Sequence, residues 1–377
     1  MVRLNVLFPM HSDGRGVSYT CITLVKAMHA PELPITHFIP TSDPEGRCDR
    51  TRHAVPIWSK AISYKLDGKR PFIRDLTEKK FIALCRPGDL AYLWSHVRLP
   101  VYRALKDKGV RIVLERINNH TRTCRRILDA EYQRLGMPSG HHIRPESPDE
   151  QDQEIGLADY IFSPSPNVYR SLLENGALES KLLPTSYGWD PSRILTSQRK
   201  PHDGVDVVFI GSGIVRKGLH LLLQAWADAG IKGRLILCGD IHGEIAKPFA
   251  HLLARPDVVQ MGYLNGIGDV LCQSDIFAFA SLEEGGPQVT YEAMGCGVPV
   301  LTTPMGAGAI ARDGQDGFII NPLDHDGWVQ RLRQLAADPD LRARLGQTAR
   351  ARAAEFVWSK VGARRREALI RVTAPAF

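Results

Sequence analysis

Glu284 and Glu292 stand eight positions apart in the stretch EEGGPQVTYEAMGCGVPV, residues 283–300. The first lies among glycines, where backbone can approach a ligand closely. The second falls in VTYEAMGCG, which reads as a short helix closed by glycine. Amides at such a helix start can receive phosphate oxygens, and a carboxylate in its first turn can accept hydrogen bonds from ribose hydroxyls. The plain readings are an exposed loop charge for Glu284 and a dipole-complementing residue for Glu292. Further back, Gly211 and Gly213 follow the apolar run VVFI and precede Arg216 and Lys217. A planar guanidinium fork beside an ammonium point charge can clamp a diphosphate, and a solvated basic turn is the alternative. The spacing is not G-x-x-x-x-G-K-[ST], so this is no P-loop. Gly14 and Gly16 stand in FPMHSDGRGVSYTCITLVKAM, again strand, glycine loop and helix, which suits a phosphate or a simple β-to-α turn. His120 in ERINNHT is either a reactive group or a helix cap, and Trp94 and His96 close a strand where a cleft would lie.

These residues need elements to hold them. In the first half VRLNVLF, ITHFI, LAYLW, RIVLE and YIFS read as strands, separated by the helical patterns VSYTCITLVKAMHA, LPVYRALKDKG and TRTCRRILDAEYQRLG. Alternation of this kind predicts α/β structure with parallel sheets. GMPSGHHIRPESPDEQDQE, residues 136–154, is expected to be a loop, and its two histidines have no third metal ligand at useful spacing. The polar LTSQRKPHDG at 195–204 has the composition of a linker. Beyond it a second series begins with VDVVFI, RLILC, DIFAFA and VPVLT as strands, and GLHLLLQAWADAG as a helix. Each series is long enough for its own doubly wound sheet, in which ligands bind at the carboxyl ends of the strands. The last stretch, 341–372, reads as an amphipathic helix, to be packed on the domain or laid on a membrane.

Bulk properties agree with a two-domain globular chain. Its 377 residues exceed one ordinary core, and 44% hydrophobic content is normal. No apolar run reaches the roughly 18–20 residues that span a bilayer. MVRLNVLFPMHSDG lacks a small-residue cleavage site and reads as a first strand. Seven scattered cysteines without a C-x-x-C pair suggest free thiols in a reducing compartment. The net charge of +7 fits anionic partners or simply a basic solvated surface. Positive charge concentrates at 68–80, 116–134 and 363–372.

The second half resembles the retaining glycosyltransferases of family 4, which have the GT-B fold. The resemblance rests on a serine, acidic residues and glycines followed by E-A-M and G-V-P-V, then on LTTPMGAGAIARDGQDGFIINPLD. It extends to FIGSGIVRKGLHLLLQAW with its K-G-L element, to SPSPNVYRSLLENGALESKLLPTSYGWDPSRI before the linker, and to the closing RARAAEFVWSKV. The rest of the first half matches more loosely.

The resemblance implies two Rossmann-like doubly wound domains facing each other across a cleft. Residues 1–195 would form the acceptor side, 196–355 the nucleotide-sugar side, and 356–377 a C-terminal helix packing back toward the first domain. It implies transfer of a sugar from a nucleotide diphosphate to an acceptor hydroxyl with retention of configuration. Glu284 would lie against the donor sugar and Glu292 against the ribose. Gly285, Gly286, Gln288 and Val289 would meet sugar or phosphate through loop and helix-start amides, and Lys217 the diphosphate. Gly14 and Gly16 would face the same phosphates, His120 the reacting sugar, and Tyr263 and Leu264 the nucleobase. Many members carry an arginine after the glycine at Gly211. Here that position is Ser212, so Arg216 takes over the task.

No metal or other cofactor is expected, because the cationic pair supplies the charge and the DHD and DPD triplets at 324–326 and 338–340 read as helix caps. The acceptor, whether glycan, lipid-linked or small molecule, is open, as is the choice of uridine or guanosine diphosphate. A cytoplasmic location is expected, with peripheral contact to the inner face of an anionic membrane kept as an option. Two other readings stand beside this one. A GT-B nucleotide-sugar epimerase or sugar phosphorylase would keep the fold. A basic nucleic-acid-binding protein would need stacking aromatics or a recognition helix, and neither is visible.

Overall fold

The computed structural model describes residues 2–67, 72–194 and 202–374. Most of the predicted linker, with the predicted domain boundary at 195/196, lies outside these residues, as does part of the basic run at 68–80.

Two parallel sheets form the scaffold. The first holds β1 (Leu4–Leu7), β2 (Ile35–Ile39), β3 (Thr51–His53), β4 (Leu90–Leu93), β5 (Arg111–Glu115), β6 (Tyr160–Ser163) and β7 (Leu182–Pro184), in the order β3-β2-β1-β4-β5-β6-β7. The second holds β8 (Val205–Ile210), β9 (Gly233–Cys238), β10 (Val258–Gly262), β11 (Ile276–Phe279), β12 (Val300–Thr302) and β13 (Gly317–Ile319), in the order β10-β9-β8-β11-β12-β13. Central strands such as β1, β4, β8 and β11 are buried at every position. That explains why they read as continuous apolar runs rather than alternating ones: helices cover both faces of each sheet. Strand order reverses between β1 and β4 in the first sheet and between β8 and β11 in the second. Loops leaving neighbouring strands in opposite directions open a crevice there. The glycine loop after β1, the cationic turn after β8 and the acidic loop after β11 therefore start at these reversal points.

Three sequence expectations change. Ser147–Leu157 is a helix rather than part of a loop, with Pro148 in its first turn and Asp149 and Glu150 complementing its dipole. The predicted single C-terminal helix is two, Pro339–Ala353 and Trp358–Thr373, parted by a turn at Ala354–Val357. Short β3, β7, β10 and β13 were not anticipated, since three to five residues carry too little pattern. The aspartate caps are as expected: Asp324 accepts from the Gly327 amide and Asp338 from the Leu341 amide.

The chain crosses back at its end. The Trp189 amide donates to the Phe356 carbonyl and the Trp358 amide to the Trp189 carbonyl, the Trp189 indole donates to the Ala353 carbonyl at 2.7 Å, and the Trp358–Thr373 helix lies along Gly16–Met28 of the first domain. Gly362 is required there, because a Cβ would sit 2.4 Å from Ala27.

Candidate active site

The turn after β8 is built around glycine. Gly218 adopts φ +68°, and a Cβ on it would lie 1.8 Å from the Ala280 carbonyl oxygen. Only glycine lets this turn press against the end of β11. The close approach sets Arg216 and Lys217 over the loop 281–287. Lys217 Nζ donates to Glu284 Oε1, and Arg216 lies 3.3 Å from Glu283 Oε2 and 3.6 Å from Glu284 Oε1. Ser281 Oγ adds a bond to Glu284 at 3.4 Å. Burial pushes the Glu284 carboxyl toward protonation, but the Lys217 and Arg216 charges overcome it and hold the group below the ordinary range. Arg216 in turn is held more firmly charged, first by Glu284. Two cations and two carboxylates thus meet in one buried cluster.

The first domain completes the cluster. The Asn119 side-chain amide donates to Glu283 Oε1 at 3.1 Å, and its backbone amide does so at 3.3 Å. Gly285 packs so tightly on the Ile117 carbonyl that a Cβ would fall 1.5 Å from its oxygen, and Gly286 rests on the Tyr187 ring. Beside this contact opens a cavity of about 790 Å³ between the sheets. Met10, Val17, Arg116 and Asn119 line it from the first domain, and Ile214, Arg216, His242 and Glu283 from the second.

Other predicted residues fall nearby. The helix Gln288–Gly295 starts facing the helix Gly16–Met28, and Gln288 Nε2 donates to Thr20 Oγ1. Val289 stands in the first turn of one helix and Gly16 opens the other; neither lines the main cavity. Gly14 (φ +74°) and Gly16 (φ +49°) both occupy the left-handed region. Asp13 already binds the Arg15 amide and Ser18 there, which also makes the loop a well-satisfied β-to-α turn. Gly211 sits at the end of β8, and Ser212 beside it is exposed.

Glu292 stands in the second turn of its helix, not the first as expected, because the helix begins at Gln288. It does not touch the cationic cluster. It faces a smaller cavity of about 170 Å³ with Arg193, Asn265, Gly266 and Ile267. Tyr263, which is exposed, and Leu264 immediately precede that wall. Burial raises the Glu292 carboxyl to about 7, against the pull of Arg193 at 3.5 Å. A carboxyl whose folded pKa exceeds its unfolded value favours folding at low pH. Stability from this group is therefore complete below about 4.5 and is lost as pH rises to about 7. We expect Glu292→Gln to remove about 3 kcal/mol of pH dependence from urea unfolding across that window. An unaltered pH profile would count against burial as the cause.

His120 takes the second of its two sequence readings, the helix cap. Its side chain is wholly buried and caps the helix Thr121–Arg134 by accepting from the Arg122 amide, while Nε2 meets Asp152 at 2.9 Å. Both ring nitrogens are engaged within the protein, and His120 is not among the residues that line the cavity. Burial lowers its pKa to about 4, so the stability it confers is present above pH 6.5 and fades as pH falls toward 4. His120→Ala should cost about 1–2 kcal/mol in urea unfolding, as cap losses do, and leave nucleotide affinity unchanged. A loss of affinity without loss of stability would reverse this assignment. The cleft residue that sequence reasoning missed is the neighbour, Asn119; its signal was its place at the carboxyl end of β5. Trp94 is buried in the core, whereas His96 does line the cavity, with a left-handed φ of 71°. Among the described residues no group of three or more His, Cys, Asp or Glu is placed to hold a metal ion. Among the same residues no helix is long and apolar enough to cross a membrane.

Residues 204–338 match the family model for glycosyl transferases group 1. The D-inositol 3-phosphate glycosyltransferase of Rhodococcus erythropolis is 29% identical over 230 residues, 50% of each chain. A Staphylococcus aureus capsular polysaccharide biosynthesis glycosyltransferase, CapM, is 25% identical over 172 residues, 42% of this chain and 45% of that protein. The chain thus spans about half the length of the curated relatives it matches. Whole-fold similarity is broader. Sucrose-phosphate synthase of Thermosynechococcus elongatus superposes with a TM-score of 0.71 at 18% identity, covering 99% of both chains. Anabaena HepE, solved with UDP-glucose, gives 0.71 at 17% identity over 99% of this chain and 100% of that one.

Proposed function

We propose that this chain is a glycosyltransferase of the family-4 type and moves a sugar from a nucleotide diphosphate to an acceptor hydroxyl with retention of configuration. The observation that carries the reading is the meeting of Arg216 and Lys217 with Glu283 and Glu284 where the strand order of the second sheet reverses, roofed by Asn119 from the first. Without a ligand the cations are neutralised by the carboxylates. A diphosphate entering the cleft would take over Arg216 and Lys217 and free Glu284 for the hydroxyls of the donor sugar. We assign Glu284 to holding the sugar, with Ser281 keeping its carboxylate in place once the cations turn to the diphosphate. The loop wall at Asn265–Ile267 with Glu292 offers the nucleoside a place, once Arg193 moves aside.

The demanding part of the reaction is charge. As the anomeric carbon leaves the diphosphate oxygen and bonds to the acceptor oxygen, negative charge grows on the diphosphate, which collects the acceptor proton. Fixed donors aimed at that charge are the largest contribution such a site can make. Arg216, Lys217 and the amides opening the Gln288–Gly295 helix are those donors here. No metal enters this scheme; adding a chelator should leave the rate unchanged if the cations suffice.

Thermal unfolding with uridine, guanosine and adenosine diphosphates and their sugars tests the reading. A ligand at a hundred times its Kd stabilises by about 2.7 kcal/mol, a clear rise in Tm. Melting curves that ignore every nucleotide would defeat it. Change of donor-sugar configuration without any acceptor would instead favour an epimerase.

A further inference from the structure

Three consecutive arginines, Arg364, Arg365 and Arg366, stand on the helix Trp358–Thr373. Successive side chains on a helix point about 100° apart, so the three must go different ways. Arg365 enters the core and pairs with Glu115, and Arg366 meets Glu32 at 3.0 Å. Arg364 has no carboxylate partner among the described residues; it donates to the Glu355 carbonyl at 2.9 Å. The preceding helix, Pro339–Ala353, ends on a second such group. Arg352 donates from Nε to the Ile310 carbonyl at 3.3 Å and likewise has no carboxylate partner among the described residues. The turn between the two helices carries Phe356, and both guanidiniums lie against its ring, Arg352 at 4.8 Å and Arg364 at 5.5 Å from the centroid.

These side chains border a cavity of about 450 Å³ at a junction of three parts of the chain. Thr185 and Ser186 reach it from the carboxyl end of β7, Ala309 and Arg352 from the second domain, and Arg364 and Arg365 from the last helix. It shares no lining residue with the main cavity or with the smaller one beside Glu292.

The unspent groups here are donors. A guanidinium carries five N–H groups, and Arg352 and Arg364 each spend one on a carbonyl. The Nε–H of Arg365, a residue 1% exposed, has no partner. Thr185 and Ser186 add hydroxyls. Glu355 is the only carboxylate lining the cavity among the described residues, and Lys360 answers it at 2.9 Å. Positive charge left without a counter-ion repels itself. An acceptor-rich dianion removes that cost, and phosphate oxygens match the guanidinium fork two at a time. One water's share of the liquid is about 30 Å³, so the cavity has room for a phosphate and for a small group esterified to it.

We propose that this cavity binds a small phosphate, free or as a monoester, through Arg352 and Arg364 with Arg365 as its floor. Arg352 belongs to the second domain, whereas Arg364 rides on a helix that lies along Gly16–Met28 of the first. A bound phosphate therefore ties the two domains together where the chain crosses back. The site is separate from the diphosphate site of the transferase reading, and none of its residues takes part in that reaction.

Titration calorimetry of the full chain at fixed ionic strength tests this with inorganic phosphate, glycerol 3-phosphate and glycerol. Both phosphates are expected to bind and glycerol to give no heat; the tighter of the two phosphates names the source. Arg364→Gln and Arg352→Gln should each weaken binding about tenfold or more, the worth of a hydrogen bond to a charged group. Lys217→Ala should leave it unchanged. Arg364 is exposed and Arg352 half-buried, and melting curves without ligand check that both variants fold. Nucleotide-induced shifts in Tm should persist in both, so failure here is distinct from failure of the transferase reading. Absence of heat with either phosphate overturns the proposal. So does equal binding by wild type and both arginine variants, and binding lost only in Lys217→Ala would place the phosphate in the main cleft instead.

Discussion

Lys217→Ala is expected to slow sugar transfer by about 10²–10³-fold, the usual cost of deleting one fixed donor from a developing oxyanion. Lys217 Nζ and Arg216 are the two cations of the buried cluster, and Lys217 also lies 5.3 Å over the Phe279 ring, which fixes its path out of the turn. The substitution acts in two ways that can be told apart. In the complex it removes charge from the leaving diphosphate. In the free protein it leaves Glu284, 7% exposed, with Arg216 as its remaining charged partner. The carboxyl should then drift upward toward protonation, since burial is no longer outweighed. The double variant Lys217→Ala with Glu284→Gln removes that second effect. If it melts like wild type, the change in Tm of Lys217→Ala came from the stranded carboxyl. Because Glu284→Gln also alters the residue assigned to the donor sugar, the rate of the double variant is compared with that of Glu284→Gln alone, and a further fall belongs to the diphosphate. Transfer by Lys217→Ala within a few-fold of wild type would remove the cationic pair from the mechanism, and with it the main support for the proposed function.

What could be read from the sequence followed the strength of local pattern. The runs that became β1, β4, β8 and β11 are apolar but for Asn5 and Asp206 because helices cover both sheet faces, so the α/β class was legible. The Arg216–Lys217 pair and Glu284 were legible as chemistry because glycines flank them, although their contact, and the part of Glu283 in it, is a product of Gly218 pressing on Ala280. Partners across the cleft were not legible. Nothing local in ERINNHT says that Asn119 turns toward Glu283 while His120 turns inward to cap a helix; the direction is decided by Asp152 and Ser171 more than thirty residues away. The helix at Ser147–Leu157 was hidden by its own polarity, since only Pro148, Gln151 and Ile155 are buried.

Arg365→Ala should produce the largest loss of stability, about 3–5 kcal/mol, the range found when one partner of a buried ion pair is removed. The Arg365 side chain is completely buried, and so is that of Glu115. Its guanidinium fork meets Glu115 Oε2 at 2.8 Å and Oε1 at 3.2 Å, and donates to the Ser186 carbonyl and the Tyr92 hydroxyl at 3.0 Å each. It also stacks over Phe162 at 4.7 Å. Truncation would strand the Glu115 carboxylate without its cation inside the first domain. Arg365→Lys keeps the charge but cannot span both oxygens, so it should lose less. Arg365→Met with Glu115→Leu removes both charges and should recover much of the loss, because apolar replacements of a buried pair are often neutral or better. Urea unfolding measures the losses, and hydrogen exchange locates them, with the Trp358–Thr373 helix opening first in Arg365→Ala. The reach into the cleft is indirect. Glu115 precedes the Arg116–Asn119 loop, and Ser186 precedes Tyr187, on which Gly286 rests. Donor affinity should therefore weaken only through looser packing and return in the double apolar variant. Should that variant regain stability while affinity stays low, the guanidinium would have to act on the donor loop through its charge rather than by clamping the chain end to the first sheet.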